Sequence, residues 1–124
     1  MSTPMIQKVA FTMYPAVELE RTRAFYEETL GLTVGLHGGR NGIFWLEYDL
    51  PGGGCIALSN ATGDTPGGGG TIALEVADLD ALIADLKAKG ARFKSDVIHG
   101  PKCRMATCVD SEGNSLLLHQ LNKQ

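Results

Sequence analysis

The amino-acid sequence predicts an α+β fold in which two βαβββ modules follow one another in a chain of 124 residues. Two helical stretches, a larger set of strand-like runs and a repeat of about 60 residues together predict this fold. A chain of this length normally forms one domain. Because a unit of about half this length is too small to enclose a core, we expect the two modules to share one.

Two segments have the apolar spacing of amphipathic helices, with leucine or aromatic side chains three or four positions apart. The first spans residues 18–30 and is followed by Gly31, a residue type that often ends helices. The second spans residues 78–89, where Asp78 is placed to cap the first turn and Gly90 follows the last. We therefore expect one helix in each module.

Most of the remaining chain consists of short apolar, β-branched or aromatic runs bounded by Gly, Pro, Asn or Asp. Strands are predicted at residues 7–13, 43–48, 55–59, 71–76, 104–109 and 115–120. Weaker strand patterns lie at residues 33–37 and 92–98. Each helix thus follows one strand and precedes several, which we expect to form curved mixed sheets with the helices on their outer faces.

The order of elements is repeated in the residues themselves. Residues 17–20 read Val-Glu-Leu-Glu and residues 77–80 read Ala-Asp-Leu-Asp, while Gly54 and Gly113 both come shortly before an apolar run. This spacing predicts two copies of one unit. The chain accordingly divides into a first module, a glycine-rich linker and a second module, at residues 1–62, 63–70 and 71–124.

The composition argues against several classes of function. Eleven basic and 14 acidic residues give a net charge of −3, which provides no cationic surface for nucleic acid or anionic lipid. No apolar run approaches the roughly 18 residues of a membrane span. The three cysteines lack CxxC spacing and are too few for a disulfide framework. With no basic and apolar leader at the start, these features predict a cytoplasmic protein with reduced thiols.

Three segments in a fixed order carry a resemblance to a known family. Residues 16–32 read Ala-Val-Glu-Leu-Glu-Arg-Thr-Arg-Ala-Phe-Tyr-Glu-Glu-Thr-Leu-Gly-Leu, residues 72–80 read Ile-Ala-Leu-Glu-Val-Ala-Asp-Leu-Asp, and residues 110–114 read Asp-Ser-Glu-Gly-Asn. Together they resemble the vicinal oxygen chelate superfamily, which includes glyoxalase I, the bleomycin resistance proteins and the extradiol dioxygenases. The resemblance spans nearly the whole chain and implies the tandem βαβββ fold.

The resemblance also bears on metal binding. In the enzymes of that superfamily, His, Glu or Gln side chains of both modules hold a divalent metal, and the resemblance places these positions at Phe11, Ala57, Thr71 and Leu117. Three of these side chains have no lone pair, and a threonine hydroxyl is a poor ligand for zinc, nickel or manganese. The resemblance therefore implies a member that lacks the metal ligands, and we expect no metal and no other cofactor.

The same positions and their strand neighbours are the candidates for a ligand pocket. They are Phe11, Met13, Trp45, Glu47, Ala57, Thr71, Glu75, Leu117 and His119. Trp45 either stacks on a planar ligand or packs against the protein. Strand alternation puts His119 on the side of Leu117, as a polar group of the pocket or as a surface or interface residue. Glu75 is either a buried carboxylate with a raised pKa or an exposed one near its strand end.

Three functions fit these residues. We favour a metal-free protein of the bleomycin resistance type that binds an apolar or aromatic small molecule. The alternative is a glyoxalase-like or dioxygenase-like enzyme that uses Glu75, Glu47 or His119 for acid–base chemistry on a small substrate. An accessory subunit without a working cavity is the third. Two-module chains of the family commonly pair, so the resemblance also implies a homodimer.

Overall fold

The structure, a computed structural model, describes residues 5, 9–61 and 65–122. Its first elements are β1 (Thr12–Pro15), α1 (Leu19–Arg23, continued by a π-helical segment over Ala24–Thr29), β2 (Val34–Arg40), β3 (Ile43–Asp49) and β4 (Cys55–Ser59). The later elements are β5 (Ile72–Glu75), α2 (Leu79–Ala88), β6 (Arg92–Phe93), β7 (Ile98–His99), β8 (Cys103–Val109) and β9 (Ser115–Leu121). In the described part of the chain, no helix is long and apolar enough to cross a membrane.

The strands form two sheets of the same topology. The first has the order β1-β4-β3-β2, and the second has the order β5-β9-β8-β6, with the short β7 also paired to β8. In each sheet the first strand of the module runs parallel to the last, β1 beside β4 and β5 beside β9. The other pairs are antiparallel. The predicted α+β fold of two βαβββ modules is confirmed.

One face of each sheet packs with the helices into a common core. Leu46 of β3, Ile56 of β4 and Leu118 of β9 are at most 1% exposed. Tyr26 of the π-helical segment and Leu86 of α2 belong to the same cluster. Both halves of the chain therefore contribute to one shared core, as the length of the chain predicts.

The turn between β8 and β9 contacts the start of α1. The side chain of Glu112 is 1% exposed and accepts hydrogen bonds from the backbone N–H groups of Val17 and Glu18, at 3.0 and 3.2 Å. It also accepts one from Arg21 Nε at 2.6 Å. Glu18 makes no side-chain cap of its own. A residue from the second half of the chain therefore satisfies backbone donors at the start of the first helix.

The same turn holds a buried hydrogen-bond network. Asp110 is 3% exposed, and its carboxylate accepts hydrogen bonds from the Tyr26 hydroxyl and from the N–H groups of Glu112 and Asn114, all at 2.8 Å. The Asn114 side-chain amide donates to the Pro15 carbonyl at 2.9 Å. Because these atoms are shielded from water, each lost bond would leave an unpaired polar group.

β1 differs from the strand predicted at residues 7–13. The strand begins at Thr12 and extends to Pro15, and residues 7 and 8 lie outside the described residues. β1 pairs only with β4, which begins at Cys55 after a glycine-rich turn. Because the register sets Thr12 beside Ile56, the described residues 9 and 10 lie beyond the start of β4 and belong to no strand.

Two other predicted elements are altered. The predicted helix at residues 18–30 widens into a π-helix, and the consecutive aromatic rings at residues 25–26 are both buried in it. The predicted strand at residues 92–98 breaks into β6 and β7. The break occurs where the Thr107 N–H donates to the Ser95 hydroxyl at 3.1 Å instead of to a strand carbonyl.

The linker at residues 63–70 lies partly outside the described residues, which omit 62–64. Its described end contacts the β8–β9 turn, because the Gly67 N–H donates to Asn114 Oδ1 at 2.8 Å. Gly67 has φ of +83°, and a Cβ atom there would lie 2.8 Å from the Gly113 carbonyl oxygen. Glycine is therefore required at this point, while the module boundaries themselves remain predictions.

Candidate ligand-binding site

The face of the first sheet that does not pack into the core carries five of the predicted pocket residues. Strand register sets Met13 beside Ala57 and Ala57 beside Glu47, with Trp45 two residues from Glu47 on the same side. Phe11, just before β1, contacts the Trp45 ring edge-to-face with the ring centroids 5.4 Å apart. We call this surface the first open face. Ala57 is itself fully buried beneath its neighbours.

Glu47 is the polar centre of the first open face. Trp45 Nε1 donates to Glu47 Oε2 at 2.6 Å, and Cys55 Sγ donates to Oε1 at 3.9 Å. Burial, and then the charges of Glu47 and Asp49, raise the pKa of the Cys55 thiol. The thiol therefore stays protonated near neutral pH and acts as a weak donor rather than as a nucleophile.

The corresponding surface of the second sheet, the second open face, carries the remaining predicted residues. Strand register sets Glu75 beside His119 and His119 beside Met105. Leu117 lies two residues before His119 on the same face and is partly buried. Thr71 comes just before β5 and is exposed.

Glu75 and His119 form a hydrogen-bonded pair on the second open face. His119 Nδ1 lies 2.6 Å from Glu75 Oε1, and the Leu121 N–H donates to Glu75 Oε2 at 2.9 Å. The hydrogen bond with His119, and then the one from Leu121, lower the pKa of Glu75. Of the two sequence interpretations of Glu75, the structure matches the exposed carboxylate near its strand end, since the side chain is 53% exposed.

Two cavities border these faces. One of about 720 Å³ lies between β1 and β5, and Met13 and Thr71 are among the residues that line it. The other, of about 550 Å³, lies beside the turn between β3 and β4, and Glu75 is among its lining residues. Both volumes fall in the range of sites for small organic molecules.

Sequence reasoning missed four exposed apolar residues of the open faces. They are Leu36, Ile43, Ile98 and Leu121, each between 45% and 59% exposed. Strand alternation from Trp45 and His119 would have found Ile43 and Leu121. Leu36 lies opposite Glu47 only because a bulge after Val34 shifts the register. Ile98 belongs to β7 and lies opposite Met105 of β8. The sequence pattern did not separate β7 from β6.

The four positions at which the resemblance places metal ligands do not fit a metal ion. The side chains of Phe11, Ala57 and Leu117 have no donor atom, and Thr71 offers only a hydroxyl. Within residues 9–61 and 65–122, no group of three or more His, Cys, Asp or Glu side chains is placed to hold one. No chemical step at the open faces is therefore assigned to a metal.

Several solved structures share this fold. TnmS3, an antibiotic binding protein from Streptomyces sp. CB03234, aligns over 97% of this chain and 100% of its own, with 24% identity and a TM-score of 0.84. A glyoxalase/bleomycin resistance protein from the same organism aligns over 89% and 97%, with 26% identity and a TM-score of 0.77. A superfamily member from Sphaerobacter thermophilus DSM 20745 aligns over 94% and 99%, with 24% identity and a TM-score of 0.80.

Sequence comparison gives the family. No curated protein matches the chain significantly. The profile of the Glyoxalase/Bleomycin resistance protein/Dioxygenase superfamily, in contrast, matches residues 8–118. Because this match covers most of the chain and the topology agrees with it, the chain belongs to the Glyoxalase/Bleomycin resistance protein/Dioxygenase superfamily.

Proposed function

We propose that the protein binds an apolar or aromatic small molecule without the help of a metal ion. The observation that carries the proposal is the character of the first open face, where the Phe11 and Trp45 rings lie in contact beside Met13. An apolar surface with a few placed polar groups is how proteins hold drug-sized ligands. The cavity of about 720 Å³ next to Met13 gives such a ligand room.

The family and its solved structures support this class of ligand. TnmS3 is described as an antibiotic binding protein, and its fold aligns with 97% of this chain. The residues at the metal positions of the enzymes are apolar or weakly polar here, which favours binding over metal-dependent catalysis. A cytoplasmic location remains a prediction from the composition of the chain.

We also propose that the protein is a homodimer. Five large apolar side chains on the open faces are between 43% and 59% exposed, namely Phe11, Leu36, Ile43, Ile98 and Leu121. β2 forms an outer edge of the first sheet, and most of its residues are exposed. A second copy of the chain would cover these surfaces, and open faces from the two copies would enclose a shared cavity.

Binding of 2-naphthol, a small aromatic probe, tests the proposed function. In buffer containing EDTA we expect saturable binding in isothermal titration calorimetry and a raised melting temperature. Phe11→Glu should weaken binding at least about tenfold, because a charge replaces the ring that packs against Trp45.

Ala84→Glu is the matched control, because it introduces the same charge at an exposed position of α2. This variant should bind the probe as the unmodified protein does. Failure of the unmodified protein to bind the probe would contradict the proposal. So would an affinity of Phe11→Glu equal to that of the control.

A metal-free enzyme is the second candidate, and the Glu75–His119 pair is the observation that favours it. A carboxylate bound to Nδ1 orients an imidazole so that Nε2 can act as a general base. Chemical conversion of a bound small molecule, lost in His119→Phe, would favour this candidate over simple binding.

A further inference from the structure

Glu75 and His119 are held together by hydrogen bonds between their side chains and with the backbone of β9. They lie opposite each other on the parallel strands β5 and β9, with Nδ1 of the histidine 2.6 Å from the carboxylate. The second carboxylate oxygen accepts the Leu121 N–H at 2.9 Å. Both carboxylate oxygens are therefore engaged by β9, and the orientation of the imidazole is fixed with them.

This geometry sets the tautomer of His119. The ionised Glu75 carboxylate accepts hydrogen bonds and donates none, so the neutral imidazole carries its hydrogen on Nδ1. Nε2 then carries a lone pair. The described residues offer that lone pair no hydrogen-bond donor, so it is available to a ligand.

The surroundings of the ring are apolar. The His119 side chain is 25% exposed, Met105 lies opposite it on β8, and Leu117 and Leu121 flank it on the same face of β9. A hydrogen-bond acceptor in such surroundings is best matched by a neutral donor, because a charged group would lose its hydration. The negative charge of Glu75 also disfavours an anionic ligand.

We propose that His119 Nε2 accepts a hydrogen bond from an acidic hydroxyl group, a phenol or an enol, of the aromatic ligand. Glu75 is the positioning residue that holds the hydrogen of the neutral imidazole on Nδ1 and so leaves the lone pair on Nε2. The proposal rests on the proposed function, since it names the polar group of the molecule that the apolar faces hold. An aryl ether leaves Nε2 unpaired, and an aryl carboxylate brings a second negative charge beside Glu75.

Three naphthalene probes test this assignment by calorimetry. They share one ring system and differ in the polar group, as 2-naphthol, 2-methoxynaphthalene and 2-naphthoate. We expect the unmodified protein to bind 2-naphthol about tenfold more tightly than the ether and to bind 2-naphthoate most weakly. In His119→Phe the preference for the hydroxyl should disappear, while the ether should bind as before.

Two further variants separate recognition from stability. Met105→Leu changes a neighbour of the ring without a hydrogen-bonding group and should keep the tenfold preference. Glu75→Gln should reduce the preference, because a carboxamide also donates and no longer enforces one tautomer. Nitrogen-15 NMR of His119 provides the direct readout, with hydrogen on Nδ1 in the unmodified protein and a mixture of tautomers in Glu75→Gln.

The outcomes distinguish this inference from the proposed function. Equal binding of 2-naphthol and the ether by the unmodified protein would overturn the role of His119 and leave aromatic binding intact. An undiminished preference in His119→Phe would do the same. Binding of none of the three probes would overturn the proposed function and this inference with it.

Discussion

The β8–β9 turn and the β3–β4 turn occupy equivalent places in the two modules and have the same backbone hydrogen bonds. The Asp110 N–H donates to the Asn114 carbonyl, just as the Leu50 N–H donates to the Gly54 carbonyl. The Gly113 and Gly53 N–H groups likewise donate to the first residue of their turns. The two modules therefore make the same local turn.

Their side chains differ in what they contact. In the β8–β9 turn, Asp110 and Glu112 bind Tyr26 and the start of α1. The equivalent residues of the β3–β4 turn are Leu50 and Gly52, and that turn borders the cavity of about 550 Å³. The β8–β9 turn thus forms a junction between the modules that hydrogen bonds close, which we call the closed junction. The β3–β4 turn borders a cavity at the other junction, which we call the open junction.

The two helices show the consequence. α1 receives its polar partner from the other module, because Glu18 does not cap it and Glu112 does. α2 depends less on the other module, since Asp78 accepts the Ala81 N–H at 3.1 Å. The β8–β9 turn thus supplies the polar contacts to α1, whereas the β3–β4 turn borders a cavity. The Tyr14 hydroxyl is a further link between the modules, since it donates to the Ser115 carbonyl and accepts the Ile72 N–H.

Removal of the buried carboxylate of the closed junction should have the largest effect. Asp110→Ala leaves the Tyr26 hydroxyl and the Asn114 N–H without an acceptor, so we expect a loss of about 3–4 kcal/mol in the free energy of unfolding. Urea denaturation measures it. Asp96→Ala, at an exposed position, is the control and should cost less than about 0.5 kcal/mol. A loss for Asp110→Ala as small as the control's would contradict the account.

Glu112→Gln should have the next largest effect, about 1–2 kcal/mol. A carboxamide has one acceptor oxygen, so it can keep the hydrogen bonds from the Val17 and Glu18 N–H groups but loses the one from Arg21 Nε, together with the charge. Burial raises the pKa of Glu112. The hydrogen bonds from Arg21 and from the Val17 and Glu18 N–H groups outweigh this effect and lower the pKa to about 2. A carboxylate with a lowered pKa stabilises the fold fully above its ordinary value of 4.5, and this contribution is lost as the pH falls toward 2.

Urea unfolding at a series of pH values tests that dependence. Between the ordinary and the lowered pKa, the unmodified protein should lose stability more steeply than Glu112→Gln. Glu28→Gln, at an exposed position of the π-helical segment, should follow the unmodified protein. Parallel pH profiles for the unmodified protein and Glu112→Gln would show that Glu112 does not hold the junction.

The smallest effect is expected at the open junction. Gly52→Glu places a carboxylate where the other module has Glu112, and a Cβ atom at Gly52 meets nothing within 4 Å. No arginine equivalent to Arg21 is available, because Ala81 lies at that position of α2. We therefore expect a change within about 0.5 kcal/mol in urea unfolding. Stabilisation comparable to the loss in Glu112→Gln would contradict the asymmetry.

Local sequence signals predicted the helices and strands whose formation depends on residues close to one another in the chain. β4 spans residues 55–59 as predicted, and Asp78 caps α2 as its position indicated. The resemblance also predicted the fold of both modules. These features follow from alternation, capping and turn residues that act within a few positions of one another.

Features that depend on distant contacts were not predictable. The repeat in the sequence paired Gly113 with Gly54, whereas the hydrogen bonds pair it with Gly53. Glu112 contacts Arg21 from a distant part of the chain, so no local pattern predicts the pair. The open faces were only partly predicted, since the bulge that puts Leu36 beside Glu47 has no local sequence signal.

Native mass spectrometry with and without 2-naphthol tests the central claim of metal-free aromatic binding by a dimer most directly. We expect a mass of twice the 13.2 kDa chain, no added mass from a metal ion, and a shift by whole numbers of probe molecules. A monomer that carries one tightly bound metal ion per chain and takes up no probe would contradict the account.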